Sequence, residues 1–170
     1  MPPDASIFLH VLFWALGLLL ITGVGSVWAG RWSERMSVQL GAWGAGGACL
    51  AGLVGAGAAL ATGAKGALVL PWSMPYGAFS IGLDPLSSFF LIPMFLLAGL
   101  AAVYSVGYFR PWKGRNPGRF WLFYNVLAAS MAVVMTARNG VLFLVAWEVM
   151  SLASFFLVVM DDGEEGTKEA

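Results

Sequence analysis

One carboxylate lies in the middle of an otherwise uncharged run of the sequence. Glu148 falls within the stretch from Val141 to Met160, which is long enough to cross a lipid bilayer. An ionised side chain at the bilayer centre costs about 2.5–3.5 kcal/mol on insertion scales. Such an acid therefore has a charged partner, carries a proton or serves a function. The residue alone leaves two roles open: a proton-carrying or ion-coupling acid, and a protonated Glu that only forms a packing hydrogen bond.

Two further polar residues could support chemistry at this acid. Ser151 follows Glu148 by three residues, so in a helix the two share a face and the hydroxyl is within reach of the carboxyl. Asn125 lies in the preceding apolar stretch, where its amide could bond a neighbouring helix or form part of a hydrated path. With one His and one Cys in the chain, a metal site with nitrogen or sulfur ligands is not expected. We expect no catalytic residue, no metal and no cofactor in this chain.

The composition is that of an integral membrane protein. Of the 170 residues, 59% are hydrophobic and only 11% are charged, whereas soluble domains carry roughly 25% charged residues. The formal net charge is zero, so no global attraction to nucleic acid is expected. We predict a chain whose surroundings are the lipid bilayer, with no nucleic-acid partner.

The apolar residues fall into separate stretches of bilayer-spanning length. A hydrocarbon core about 30 Å thick needs about 20 apolar residues per helix, and backbone groups in lipid must bond internally. The sequence therefore predicts an all-α membrane protein with about five transmembrane helices. Residues 1–160 form a single transmembrane domain and residues 161–170 an acidic cytoplasmic tail. The five predicted helices are Ile7–Ala29, Val38–Ala64, Pro85–Phe109, Phe120–Ala137 and Val141–Met160.

The segment between the second and third helices is predicted to be a short hairpin-like loop. The stretch Ala67–Leu83 is too polar and too interrupted by Pro and Gly for a spanning helix. It ends at Asp84-Pro85, where Asp is a good N-cap and Pro suits the first helical position. In the second helix, small residues recur at helical spacing and predict close packing against another helix. These are Gly41, Ala45, Ala48, Gly52, Ala56 and Ala59.

Basic residues are distributed unevenly between the loops on the two sides of the membrane. Because Lys and Arg favour the cytoplasmic side, we predict the N-terminus outside and the C-terminus cytoplasmic. The predicted cytoplasmic residues are Arg31, Arg35, Arg110, Lys113, Arg115, Arg119 and Lys168, against Lys65 and Arg138 outside.

Several short motifs resemble one known family of membrane proteins. Leu83–Ser87 (LDPLS) opens the third helix and Tyr104–Tyr108 (YSVGY) ends it, while Phe123–Asn125 (FYN) and Ala129–Met131 (ASM) lie in the fourth. The most specific motif is Trp147–Ser154 (WEVMSLAS). Together they resemble the antiporter-like membrane subunits shared by respiratory complex I, Mrp-type antiporters and energy-converting hydrogenases. The most similar branch is hydrogenase-4 component B and the related formate hydrogenlyase membrane subunit.

The resemblance implies a function that the residues alone do not. In this family the Glu that matches Glu148 lies mid-membrane and belongs to a buried chain of charges that moves protons, driven by redox chemistry in a peripheral arm. The family's partner lysines lie on later helices that this sequence does not include, so the chain resembles an N-terminal portion. We therefore expect a proton-translocating membrane subunit in the bacterial inner membrane. Its partners would be other membrane and peripheral subunits of a hydrogenase or complex I-like assembly, which would hold any redox cofactor.

Alternatives to this function remain. The chain could be a helical scaffold that transports nothing, or a non-functional remnant of a longer gene. The sequence does not distinguish proton from sodium coupling. It also does not distinguish a hydrogenase partner module from one that oxidises NADH or formate.

Overall fold

The computed structural model describes residues 3–72, 78–108 and 117–161, and 83% of this part of the chain is helical. Each of its five helices begins and ends within a few residues of a predicted one, so the predicted all-α architecture is confirmed. Residue Phe109, at the predicted end of the third helix, and residues 162–170 of the predicted tail lie outside the described residues. The helices are α1 (Pro3–Ala29), α2 (Glu34–Thr62), α3 (Pro85–Tyr108), α4 (Pro117–Thr136) and α5 (Gly140–Asp161).

All five helices are long and apolar enough to cross a membrane. The shortest, α4, has 20 residues and therefore extends about 30 Å, which matches the thickness of a bilayer core. The chain is a multi-pass membrane protein, as its composition predicts.

The helices pack around α1 and α2. Helix α1 packs against α2 and α4, and α2 also packs against α3. Helix α5 packs mainly on α4 at the edge of the bundle, and a smaller share of it is buried than of any other helix. One long face of α5 is therefore left without a neighbour among the described residues.

Close approach of α2 to its neighbours depends on its glycines. All six residues of the predicted small-residue stripe are buried. A methyl group at Gly41 would lie 2.3 Å from Cγ of Trp121 in α4, and one at Gly52 would lie 2.5 Å from Cζ of Phe95 in α3. Aromatic rings thus occupy the space that a side chain on α2 would need, and α2 is packed from two sides.

Buried hydroxyl groups join three helices near the end of α1. The Ser26 hydroxyl donates to the Gly118 carbonyl of α4 (3.2 Å), and the Ser37 hydroxyl of α2 donates to the Ser26 carbonyl (2.7 Å). All three residues are buried. Because a buried hydroxyl without a partner is costly, these bonds favour one arrangement of α1, α2 and α4.

A two-stranded hairpin connects α2 to α3, as predicted. Strands β1 (Gly66–Leu70) and β2 (Phe79–Leu83) pair antiparallel, from Gly66 opposite Leu83 to Leu70 opposite Phe79. Residues 73–77 between them lie outside the described part of the chain. A bridge between Ile81 and Ala137 attaches β2 to the turn between α4 and α5.

Candidate functional site in the fifth helix

Glu148 lies near the middle of α5 and on the side that faces away from α4. The helix has 22 residues, about 33 Å, and Glu148 is eight residues from its start at Gly140. The residues buried along α5 include Leu142, Ala146 and Ala153, which lie on one face at helical spacing. Glu148 follows Ala146 by two residues, a rotation of about 200°, and its side chain is exposed.

The surroundings of Glu148 are apolar. Leu144 and Leu152, one turn to either side, are 66% and 48% exposed, and Phe155 is 58% exposed. Across the part of the chain that the structure describes, the Glu148 carboxylate forms no hydrogen bond or ion pair. An ionised acid in this position, within a membrane-spanning helix and on an apolar face, needs a partner from outside the described residues.

Ser151 lies on the same side of α5 as Glu148, but its hydroxyl is already bonded. It donates to the Trp147 carbonyl one turn back, at 3.0 Å. The Ser154 hydroxyl in turn donates to the Ser151 carbonyl at 2.8 Å. A bond from Ser151 to the carboxyl of Glu148 would require the hydroxyl to rotate away from the backbone, so its supporting role remains a prediction.

Asn125 is fully buried in α4, against α1. Its side-chain Nδ2 donates to the Trp121 carbonyl in the same helix (2.8 Å), and its Oδ1 finds no hydrogen-bond partner among the residues that the structure describes. A methyl group at Gly23 of α1 would lie 3.0 Å from Cβ of Asn125, so the two helices almost touch here. Asn125 faces α1, whereas Glu148 faces away from α4. The structure therefore does not bring these two predicted residues together.

An ion pair anchors the start of α5. The Arg138 guanidinium lies 2.8 Å from Oδ2 of Asp84, and its Nη2 also donates to the Ser87 hydroxyl (3.1 Å) and the Gly82 carbonyl (3.4 Å). The Asn139 side chain then caps α5 by accepting the backbone N–H of Val141 at 2.9 Å. One arginine thus links the hairpin, the first turn of α3 and the turn from which α5 begins.

Asp84 is held in its ionised form by this cluster. The predicted N-cap is present, with the Ser87 backbone N–H donating to Oδ1 of Asp84 at 2.7 Å. That N–H is the main cause that lowers the pKa of the Asp84 carboxyl below its ordinary value. Partial burial opposes the shift, while the Ser87 hydroxyl and Arg138 add to it.

Sequence reasoning missed the pairing of Asp84 with Arg138. Asp84 was expected only as a helix cap, and Arg138 only as one of two basic residues on the outer side. The available signal was two opposite charges, each beside a predicted helix boundary. Nothing in their spacing indicates that the two boundaries meet, because that contact depends on how the hairpin folds back.

Comparison with known proteins supports the resemblance found in the motifs. No protein-family model matches the chain. It is 30% identical over 153 residues to hydrogenase-4 component B of Escherichia coli, which covers 89% of this chain and 22% of that protein. It is 36% identical over 80 residues to NADH-quinone oxidoreductase subunit L of Mycobacterium tuberculosis, covering 47% of this chain and 12% of that protein. It is 38% identical over 77 residues to the antiporter subunit mnhA2 of Staphylococcus saprophyticus, covering 45% of this chain and 10% of that protein.

These relatives confirm the predicted resemblance to antiporter-like membrane subunits. The match to the hydrogenase subunit extends over nearly the whole chain, while the matches to the other two extend over about half of it. The chain spans about a fifth of the length of hydrogenase-4 component B and less of the others.

Proposed function

We propose, from the homology of this chain to antiporter-like membrane subunits, that it is part of a subunit that translocates protons across a membrane. Glu148 is the residue that takes up and releases the proton. The observation that carries the proposal is the position of its carboxylate, at the middle of a membrane-spanning helix and on the face that the described helices leave open. The predicted proton site is thus turned toward whatever packs against α5.

The physical argument for a proton site starts from the cost of the charge. An ionised carboxylate facing hydrocarbon is strongly disfavoured, so in this proposal Glu148 holds its proton until a cation approaches. A cation brought next to it stabilises the ionised form and releases the proton, and withdrawal of that cation favours uptake again. Alternation between the two environments moves one proton per cycle across the membrane when the proton is taken up from one side and released to the other. The cation must lie outside the described residues, none of which forms a hydrogen bond or an ion pair with the carboxylate.

The proposed partners are the subunits of an oxidoreductase complex. The match to hydrogenase-4 component B covers 89% of this chain, against 47% for the subunit of NADH-quinone oxidoreductase, which favours a hydrogenase-type partner module. In this proposal electron transfer occurs in the partner subunits and drives the charge movements that reach Glu148. The proposed orientation has the N-terminus outside, in accordance with the basic residues.

The test is Glu148→Gln in the assembled complex. Gln keeps the size and hydrogen-bonding capacity of the side chain but cannot ionise. We expect at least a tenfold loss of proton uptake into membrane vesicles, measured with a pH-sensitive dye while electron transfer is followed in parallel. The subunit should still insert and assemble. Glu34→Gln is the matched control, because Glu34 is an exposed acid in the first turn of α2 and should not affect proton uptake.

Normal proton uptake by an assembled complex with Glu148→Gln would overturn the proposal and favour a helical scaffold that transports nothing. If the wild-type complex transports sodium ions instead of protons, Glu148 would still be the coupling acid, but the coupled ion would be sodium.

A further inference from the structure

An apolar groove opens between α2 and α3, away from α5. Its volume is about 420 Å³. Its floor contains Gly46, Gly47 and Gly99, and a methyl group at Gly46 or Gly47 would touch nothing within 4 Å. The walls are formed by Trp43, Leu53, Phe95 and Leu100, among others. The absence of side chains on the glycines leaves a channel in the surface of the helix pair.

The groove continues toward the start of α2. A second space of about 150 Å³ shares Trp43 and Val103 with the first and extends to Gly107 near the end of α3. From Phe95 to Gly107 the two spaces together follow about 18 Å of α3. This length corresponds to roughly half of a hydrocarbon core about 30 Å thick, which is one leaflet of a bilayer.

A cation lies in line with the groove at its interfacial end. Arg35 precedes Ala42 by seven residues and Gly46 by eleven, so it is on the same face of α2 about two and three turns away. Its side chain is exposed and forms no ion pair with any of the residues that the structure describes. Gln39, also exposed, lies between Arg35 and the groove on this face. Basic residues near a membrane surface attract anionic lipid headgroups.

We propose that this groove binds one acyl chain of an anionic phospholipid whose phosphate is held at Arg35. The apolar walls and the length of one leaflet favour a hydrocarbon chain, and Arg35 favours a negative headgroup. The predicted orientation, based on the distribution of basic residues, would place this end of the bundle in the cytoplasmic leaflet. The site is independent of Glu148, so failure of either proposal leaves the other unaffected.

The experiment uses the protein purified from membranes with any subunits that accompany it. It is reconstituted into phosphatidylethanolamine vesicles that contain phosphatidylglycerol with a photoactivatable group on one acyl chain, and the labelled peptides are identified by mass spectrometry. We expect labelling concentrated on residues 43–53 and 95–107. Gly46→Leu places a side chain in the groove at a position where an added Cβ meets nothing within 4 Å, and it should reduce this labelling at least tenfold. Gly57→Leu is the control, because Gly57 is also on α2 with nothing within 4 Å but does not line the groove.

The headgroup is tested separately. Arg35→Gln should reduce the preference for phosphatidylglycerol over a phosphatidylethanolamine carrying the same probe by about fivefold, the factor typical of one basic residue at a membrane surface. Lys65→Gln, beyond the opposite end of α2, should leave the preference unchanged. The acyl-chain site would be overturned if Gly46→Leu left the labelling unchanged. It would also be overturned if the groove crosslinked to a protein segment instead of lipid. Equal labelling by both lipids in the wild type would overturn the role of Arg35.

Discussion

Replacement of Gly41 by Ala tests whether the contact between α2 and α4 is as tight as the structure indicates. The new Cβ would lie 2.3 Å from Cγ, 2.5 Å from Cβ and 2.6 Å from Cδ2 of Trp121. Trp121 is fully buried and its ring lies against the rings of Phe120 and Tyr124, with centroids 5.3 and 5.5 Å away. The indole therefore has no free space to rotate into, and relief of the clash requires α2 and α4 to separate.

The magnitude follows from two opposing effects. Overpacking of a close-packed core costs about 1–3 kcal/mol. We expect Gly41→Ala to lie toward the upper value, because the new Cβ overlaps three atoms at or next to the Cβ of a rigid side chain. Replacement of Gly by Ala in a helix contributes about 0.8–1.0 kcal/mol of stability in the opposite direction. We expect a net loss of about 1–2 kcal/mol, which for a chain of this size corresponds to roughly 2–8 °C in the unfolding midpoint.

The buried thiol of Cys49 offers a direct assay. It is the single cysteine of the chain and is 1% exposed, so a fluorogenic thiol reagent reports its exposure as detergent-solubilised protein is heated. Gly57→Ala is the matched control, since a methyl group there meets nothing within 4 Å, and its midpoint should not fall. Equal shifts of the midpoint in Gly41→Ala and Gly57→Ala would refute a tight contact between α2 and Trp121. If the double variant Gly41→Ala with Trp121→Leu partly recovers the unfolding midpoint, the indole of Trp121 is the cause of the loss in Gly41→Ala.

Two further predictions concern the cluster at the start of α5. Arg138→Gln should lower stability by up to about 1 kcal/mol, as expected for a partly exposed ion pair. It should also speed amide hydrogen exchange in β2 and the first turn of α3 more than in α2. An equal increase of exchange in all three elements would contradict this prediction. Because the pKa of Asp84 is lower in the folded state, the stability that Asp84 contributes is present above its ordinary pKa of about 3.9 and is lost as pH falls through the lower folded-state value. The backbone amides of this region should therefore lose protection against hydrogen exchange as the pH is lowered from 6 to 3. The change should be smaller in Asp84→Asn, and an equal change in both proteins would argue against Asp84 as its source.

The number, type and approximate extent of the helices follow from the sequence alone. Apolar stretches of about 20 residues have few stable alternatives in lipid, because every backbone polar group must bond within the segment. The hairpin after α2 and the cap at Asp84 follow from local chemistry in the same way, since Pro and Gly interrupt a helix and Asp-Pro begins one. The small-residue stripe of α2 predicted a packing face, and its residues are buried.

The sequence also singles out Glu148, because the cost of a charge in hydrocarbon does not depend on which helices surround it. Only the tertiary structure decides what that acid faces. Spacing along α5 places Ser151 near it, but the structure bonds the Ser151 hydroxyl to Trp147 and turns Asn125 toward α1. It also joins Asp84 to Arg138 and leaves a groove beside the glycines of α2. These contacts join residues far apart in the chain, where helical periodicity carries no information about which faces will meet.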